Sequence, residues 1–481
     1  MDLGMASAEP DTPDSPATYA ASADKTNRVG RDPATPFRVS DLIDDRPNEG
    51  IFRVNRAIYR DRDLFDLEIE HVFERGWVFV GLSSQAEKPS DYFTAFIGRV
   101  PILVSRGSDG TLRCFVNVCP HKGVRLVRNV AGSSSRFVCP YHSWTFDSTG
   151  RNCSIKWKSS GCYSPAFDAD DHNLCRVAQF GEYRGFLFAS LSLDVPTLDD
   201  FLGEARKLID LAVDKSPEGL ELVPGRVRYT YAANWKMQLE NCADAYHFTS
   251  THPSYIKLLN RRAAEEAGDV VTATLGAADF WQEGAGGASG GSMSFEHGHV
   301  LNWGVMPVTS AHPDFERAEE LAVKFGIAKR NWMFNMRNLT IFPNLQLAEN
   351  ASTQLRVIRP LAANLTEMQT WCIAPRGESG EARTMRIRQY EDFFNPTGMA
   401  TPDDTVCYEE AQSGMAEQER PWLQGHARGS EVSVVGGNPF SEMIDLAPSY
   451  SVLSDSQLGD ESLFRSYYRA WAERMTGALN G

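Results

Sequence analysis

Four residues with metal-binding side chains stand in two matched pairs. Cys119 and His121 lie in CPHKG (119–123), and Cys139 and His142 in CPYHSW (139–144). The pattern is C-x-H, seventeen residues, then C-x-x-H, a spacing that unrelated core residues rarely meet by accident. Two thiolates and two imidazoles converging on one point suit structural zinc in a tetrahedral Cys2His2 site. They also suit a [2Fe-2S] cluster held by two cysteines on one iron and two histidines on the other. Zinc modules usually pair like with like. Here each half carries one Cys and one His, so each loop can reach both irons, and the cluster is the better reading. Pro120 and Pro140 shape the loops, and Trp144 is placed to shield the cluster from solvent.

A second constellation lies in LENCADAYHFTSTH (239–252), with Asp244, His247 and His252. Five residues of regular helix turn through about 500°, so the two imidazoles would diverge by about 140°. For both to reach one ion, the chain must leave the helix, and the β-branched threonines Thr249 and Thr251 predict the break between them. Two imidazoles and a carboxylate with other positions open suit non-haem Fe(II) that must bind O2 beside a substrate. Asp244 is the local candidate for the carboxylate.

These residues need elements to hold them. The run PILVSRGSDGTLRCFVNVC (101–119) reads as a hairpin turning at Asp109-Gly110, and FVCPYHSWTFDSTGRNCSI (137–155) repeats the pattern around Ser148-Thr149-Gly150. Further strands through FGEYRGFLFASL (180–191) make residues 76–196 an all-β block. Before it, DRDLFDLEIEHVFERGW (61–77) has helical spacing. After it, DDFLGEARKLIDLAV (199–213) and ARTMRIRQYEDFF (382–394) read as helices, and 227–231, 336–347, 352–361 and 367–375 as strands. The expected fold is α+β, an all-β domain (76–196) inserted in an α+β catalytic domain formed by 38–75 and 197–481. Residues 1–37, rich in Pro, Ala, Asp, Ser and Thr, predict a disordered tail. GAGGASGGSM (284–293) predicts a flexible glycine-rich loop.

Bulk properties exclude several functions. At 481 residues the chain is long enough for two cores, and its net charge of −15 argues against nucleic acid or an anionic membrane surface as the main partner. No run approaches the roughly 20 apolar residues that span a bilayer, and the N-terminus lacks a signal pattern, so a cytoplasmic location is expected. Nine cysteines in so long a chain form no disulfide framework. Cys114, Cys242, Cys372 and Cys407 read as buried, inert thiols.

Both constellations resemble those of the Rieske non-haem iron ring-hydroxylating oxygenases, large (α) subunit. Asn234-Trp235-Lys236, Glu240-Asn241, Asp244, Tyr246-His247 and His252 all match that family's iron motif. The likeness runs from about residue 45 to near 470 and is nearest to the benzoate, toluate and anthranilate group. It is carried also by RPNEGIFRV (46–54), SMSFEHGH (292–299), RNLTIFPNLQL (337–347) and GMATPDD (398–404). The resemblance implies a helix-grip (START-like) catalytic domain with an antiparallel sheet. It also implies that Asp244 is no ligand but a bridge, hydrogen-bonded to an iron-binding histidine and to a Rieske histidine of a neighbouring subunit. The third ligand then becomes Asp404, with Asp403 as alternative; both would otherwise cap the next helix.

By the same resemblance, the chain dihydroxylates a benzoate-like aromatic acid with O2. A separate reductase supplies electrons from NAD(P)H, since no dinucleotide fingerprint is present here. A ferredoxin and a small β subunit (α3β3, or else an α3 homotrimer) are further expected partners. Alternatives are a salicylate- or anthranilate-type hydroxylase giving catechol, and a Rieske electron-transfer protein without oxygenase activity. Arg337, Arg356 and Arg359 are candidates by charge for holding a substrate carboxylate, and Asn338 by hydrogen bonding. Met237, Leu239, Ala243, Phe248, Leu258, Met293, Phe295 and Trp303 are candidates for an apolar pocket. Lys122, Cys242, Phe248 and Pro253 depart from the family's commoner choices.

Overall fold

Short apolar runs separated by turn residues fold as strands through the middle of the chain. The computed structural model describes residues 37–264, 290–350, 353–417, 419–454 and 459–479, so the expected tail lies almost wholly outside them. Val100–Arg106 and Leu112–Val116 pair antiparallel around Asp109-Gly110, and Asp91–Ile97 and Ala131–Ser133 extend the sheet. A smaller sheet joins Arg136–Val138, Thr145–Asp147 and Asn152–Ser154 around the second predicted turn. A third joins Gln179–Tyr183, Phe186–Ser190 and Val78–Leu82. One short α-helix, Pro165–Ala169, interrupts this β-rich region; Ser164 Oγ caps it by accepting from Phe167 N.

The remainder is built on one long antiparallel sheet. Its path runs Leu220–Leu222, Leu365–Pro375, Thr353–Ala362, Leu345–Glu349, Met336–Ile341, Val300–Gly304, Gly290–Ser294, Tyr450–Ser454 and Val434–Val435, with Val227–Tyr231 also paired to Leu365–Pro375. The α+β class with an antiparallel sheet is therefore as expected. The apolar segment 336–347 is two strands rather than one, folded around Phe342–Asn344. Asn344 then clamps the β-rich region to the sheet: Phe79 N donates to its Oδ1 and its Nδ2 donates to Phe79 O, both at 2.9 Å.

The glycine-rich segment needs correcting. Residues 284–289 lie outside the described residues, but Gly290–Ser294 is a fully buried strand. A Cβ on Gly290 would meet Trp303 O at 2.4 Å, and one on Gly291 would meet Val452 O at 1.9 Å. These glycines serve close backbone approach between strands, which glycine also provides, rather than flexibility.

Helix Arg62–Glu68 forms as predicted and runs on as a π-turn, Ile69–Glu74. Leu64, Val72 and Phe73 from this stretch share one core with Phe464, Tyr467, Trp471 and Met475 of the last helix, Phe464–Leu479. Fully buried Glu68 sits between them. It accepts from Trp471 Nε1 at 2.7 Å and Trp235 Nε1 at 3.0 Å, and pairs with Lys236 Nζ. Trp235 and Lys236 open the helix Trp235–Asn241 that leads to the two histidines, so the chain's beginning and end both brace it. Among the described residues, no helix is long and apolar enough to cross a membrane.

All nine cysteines are free. Cys114, Cys242 and Cys372 are buried as expected, but Cys407 is exposed. It lies on the outer face of helix Thr401–Gly414, whose Thr401, Asp404 and Tyr408 point inward.

Candidate metal centres

The two Cys/His loops are the same turn built twice. Cys119 N donates to Val124 O and Gly123 N to Cys119 O; Cys139 N donates to Trp144 O and Ser143 N to Cys139 O. Gly123 and Ser143 hold equivalent left-handed positions, at φ +73° and +55°. Only Gly123 reaches that region without steric cost. The loops meet with Cys119 and Cys139 almost fully buried, and burial pushes the Cys119 thiol up to about 11, its contact with Cys139 adding to the rise.

The His121 and His142 rings lie 4.5 Å apart, and the Nδ1 atom of each is buried without a hydrogen-bond partner. Two buried thiols in contact and two buried imidazole nitrogens without hydrogen-bond partners make a donor set of the right chemistry for a metal group. The set fits a [2Fe-2S] cluster. Trp144, 4% exposed, stacks on His121 at 4.8 Å and 7° and covers that side, as predicted.

The second centre is assembled from two distant segments. His247 follows the end of helix Trp235–Asn241, and Phe248–Thr251 makes one helical turn. The break is not among the threonines; it falls at His252, with φ −110° and ψ 38°. Pro253 favours a break at this position, because proline disfavours helical geometry at the residue before it. Asp404 comes from the first turn of helix Thr401–Gly414 and is buried.

His247 Nε2 and His252 Nε2 lie 3.5 and 3.2 Å from Asp404 Oδ1, and these ligand atoms all fall within 4.8 Å of one another. Asn241 Nδ2 reaches the same cluster, 3.1 Å from Asp404 Oδ1 and 3.2 Å from His247 Nε2. Burial would raise the Asp404 carboxyl, but the two imidazoles hold it well below the usual range. Burial would likewise lower His247, yet Asp244 and Asp404 lift it to about 10. The pocket thus calls for positive charge, which a divalent cation supplies, and two imidazoles with one carboxylate fit Fe(II).

The far nitrogens of both rings face carboxylates. His247 Nδ1 is 3.1 Å from Asp244 Oδ2, and His252 Nδ1 is 3.4 Å from Asp403 Oδ2. Asp244 Oδ1 is occupied by the backbone N–H groups of Tyr246 and His247. Asp244 therefore stands beside the cluster of ligand atoms rather than in it. The Asp403 contact was not foreseen; only its adjacency to Asp404 hinted at it.

A cavity opens on these residues. Phe248, Tyr255, Met306, Met336, Phe393 and Phe394 form its apolar wall, with Cys242 and Arg356 also in the lining. Of the proposed pocket residues only Phe248 lies here. Met293, Phe295 and Trp303 belong to the core against the long sheet, and Leu239 and Ala243 to the core shared with the terminal helix.

Both sets of residues fall within matches to known protein families. Residues 76–161 match the Rieske [2Fe-2S] domain, and residues 221–477 match the ring hydroxylating alpha subunit (catalytic domain). The chain is 41% identical to the toluate 1,2-dioxygenase subunit alpha of Pseudomonas putida, over 92% of this chain and 95% of the relative. It is 38% identical to the 2-halobenzoate 1,2-dioxygenase large subunit of Burkholderia cepacia, over 91% and 92%. Its fold resembles a naphthalene 1,2-dioxygenase solved with indole in the active site, with a TM-score of 0.75 at 26% identity, covering 88% of this chain and 92% of the other. With two donor sets of the right chemistry and family matches over both, the chain belongs to the Rieske-type ring-hydroxylating oxygenase α subunits.

Proposed function

We propose that this enzyme hydroxylates an aromatic carboxylic acid of the benzoate class, and that Cys119, His121, Cys139 and His142 hold the cluster while His247, His252 and Asp404 hold the iron. The observation that carries the proposal is the meeting of two imidazole Nε2 atoms and one carboxylate oxygen within 4.8 Å, on a cavity walled by aromatic and methionine side chains. When bound, the iron supplies O2 activation and the cluster supplies electrons one at a time. Asp403 accepts from His252 Nδ1 and Asp244 faces His247 Nδ1 at 3.1 Å, an arrangement that turns each Nε2 lone pair toward the metal. Phe248, Phe393 and Phe394 exclude water and seat the ring.

In the same reading, residues 76–196 form the cluster domain and 38–75 with 197–481 the iron domain. Asp244 bridges to a Rieske histidine of a neighbouring subunit in an α3 or α3β3 assembly. What supports this is exposure at both ends: Tyr141, beside His142, is 61% exposed, and Tyr246, two residues past Asp244, is 50% exposed. A reductase carrying NAD(P)H electrons, directly or through a ferredoxin, completes the system. A cytoplasmic location is supported by four exposed cysteines that remain unpaired.

The test is reconstitution with a reductase, NAD(P)H and O2 on benzoate, toluates, salicylate and anthranilate, with product analysis. A cis-diol from benzoate or toluate is expected. Catechol released directly from salicylate or anthranilate would instead assign the hydroxylase alternative. Oxidation of neutral arenes alone would overturn the acid class. Asp404→Ala is expected to lose iron and turnover while keeping a dithionite-bleachable Rieske spectrum; retained product would remove Asp404 from the ligand set.

A further inference from the structure

We infer that Arg356 is the subsite for the substrate's carboxylate. This rests on the aromatic-acid reading above and deepens it. Three arginines on the long sheet compete for the role, and their surroundings separate them. Arg337 is consumed: Nε and Nη2 donate to Glu349 and Nη1 to Trp332 O. Arg359 pairs with Glu367 at 3.2 Å, lies over the Phe96 ring, and lines a different cavity against strand Val78–Leu82.

Arg356 is 4% exposed and lines the cavity of His247, His252 and Asp404. It donates Nε to Gln354 Oε1 and lies 4.3 Å over the Phe394 ring. Among the described residues it has no carboxylate partner, and neither Nη group makes a hydrogen bond. A buried guanidinium without a counter-ion is strongly unfavourable. Such a charge is retained where a bound anion completes it.

The cavity's own carboxylates are already committed, Asp404 to the two imidazoles and Asp244 to His247 and backbone N–H groups. Asn338 shares the lining, but it is neutral and its Oδ1 accepts from Asn350. Gln354 and Phe394 fix the guanidinium plane in advance, so little ordering remains to be done on binding. The free Nη1–H and Nη2–H edge matches a carboxylate in bidentate fashion. An aromatic acid so held keeps its ring in the same cavity as the proposed iron ligands, against the Phe393 and Phe394 wall.

The experiment is equilibrium binding of benzoate and of its neutral isostere benzamide to anaerobic holoenzyme, wild type and Arg356→Gln, with KM and kcat measured alongside. Wild type is expected to bind benzoate about tenfold or more tighter than benzamide. Arg356→Gln is expected to weaken benzoate about 30-fold or more, mainly in KM, and to leave benzamide little changed. Its cluster absorbance and iron content report the fold. Arg356→Lys, which keeps the charge and loses the fork, is expected to fall between the two. If wild type oxidises benzoate but Arg356→Gln binds it unchanged, the subsite is refuted and the acid reading stands. Should the Gln variant fail to fold, equal wild-type affinity for benzoate and benzamide, or unchanged benzoate affinity in Arg356→Lys, refutes the subsite. If wild type neither binds nor oxidises any aryl acid, the acid reading falls and the subsite with it.

Discussion

Three aspartates, Asp244, Asp403 and Asp404, crowd the proposed iron site, and their oxygens separate their roles. Asp404 faces both Nε2 atoms, whereas Asp244 and Asp403 each face one Nδ1. Asp244→Asn is therefore expected to keep cluster and iron while product formation falls by about 10- to 100-fold. Asp403→Asn is expected to loosen His252 and weaken iron binding by about tenfold or more. Iron analysis and Rieske EPR on both variants check this, and iron loss in Asp244→Asn as large as in Asp403→Asn would show that Asp244 serves to hold its histidine rather than to carry electrons. The proposed cluster residues stand out in the sequence because each half of the site is local and carries one Cys and one His. Asp404 was legible only through family likeness, since nothing near it in sequence marks it. Arg356 could not be told from Arg337 and Arg359, because the difference lies in which acid each one meets across the sheet.

At the scale of elements, buried ion pairs lock the long sheet to its helices. Lys215 Nζ lies 2.8 Å from Glu349 and 3.1 Å from Asp314, while Arg337 pairs with Glu349 and Arg386 with Asp314. Burial alone would raise the Glu349 carboxyl, but Arg337 and Lys215 bring it to about 2 from an ordinary 4.5. Because the folded value is the lower, its stabilisation is complete above pH 4.5 and is lost as pH falls toward 2. Glu349→Gln is expected to cost about 3–5 kcal/mol at pH 7, by leaving two cations short of a partner, and to flatten the acid arm of stability. Denaturant midpoints against pH measure both. Hairpins were legible here because Asp-Gly and Thr-Gly turns act locally. The strand Gly290–Ser294 was not, because its glycines answer to backbone on neighbouring strands. The break at His252 was foreseen in kind and misplaced, threonine propensity being a weaker signal than the following proline.

Across the whole molecule, Glu68 joins helix Arg62–Glu68 to the last helix and to the helix that leads into the histidines. Glu68→Gln is expected to cost about 3–5 kcal/mol through the stranded Lys236 ammonium. Amide exchange should then quicken together in 62–74 and 464–479; independent exchange would show that they do not form one unit. An inserted β-rich block was legible from the change in texture along the chain. The residue that braces the two ends was not, since Glu68 reads as one more charge on an amphipathic helix. The two metal centres also differ in when they can exist. The cluster loops close on themselves within one short stretch, so that site can be complete while the ribosome is still translating the chain. The proposed iron site has to wait for helix Thr401–Gly414, and its supporting helix for Phe464–Leu479. The order of synthesis thus places all four proposed cluster residues on the chain well before Asp404, the last of the proposed iron ligands.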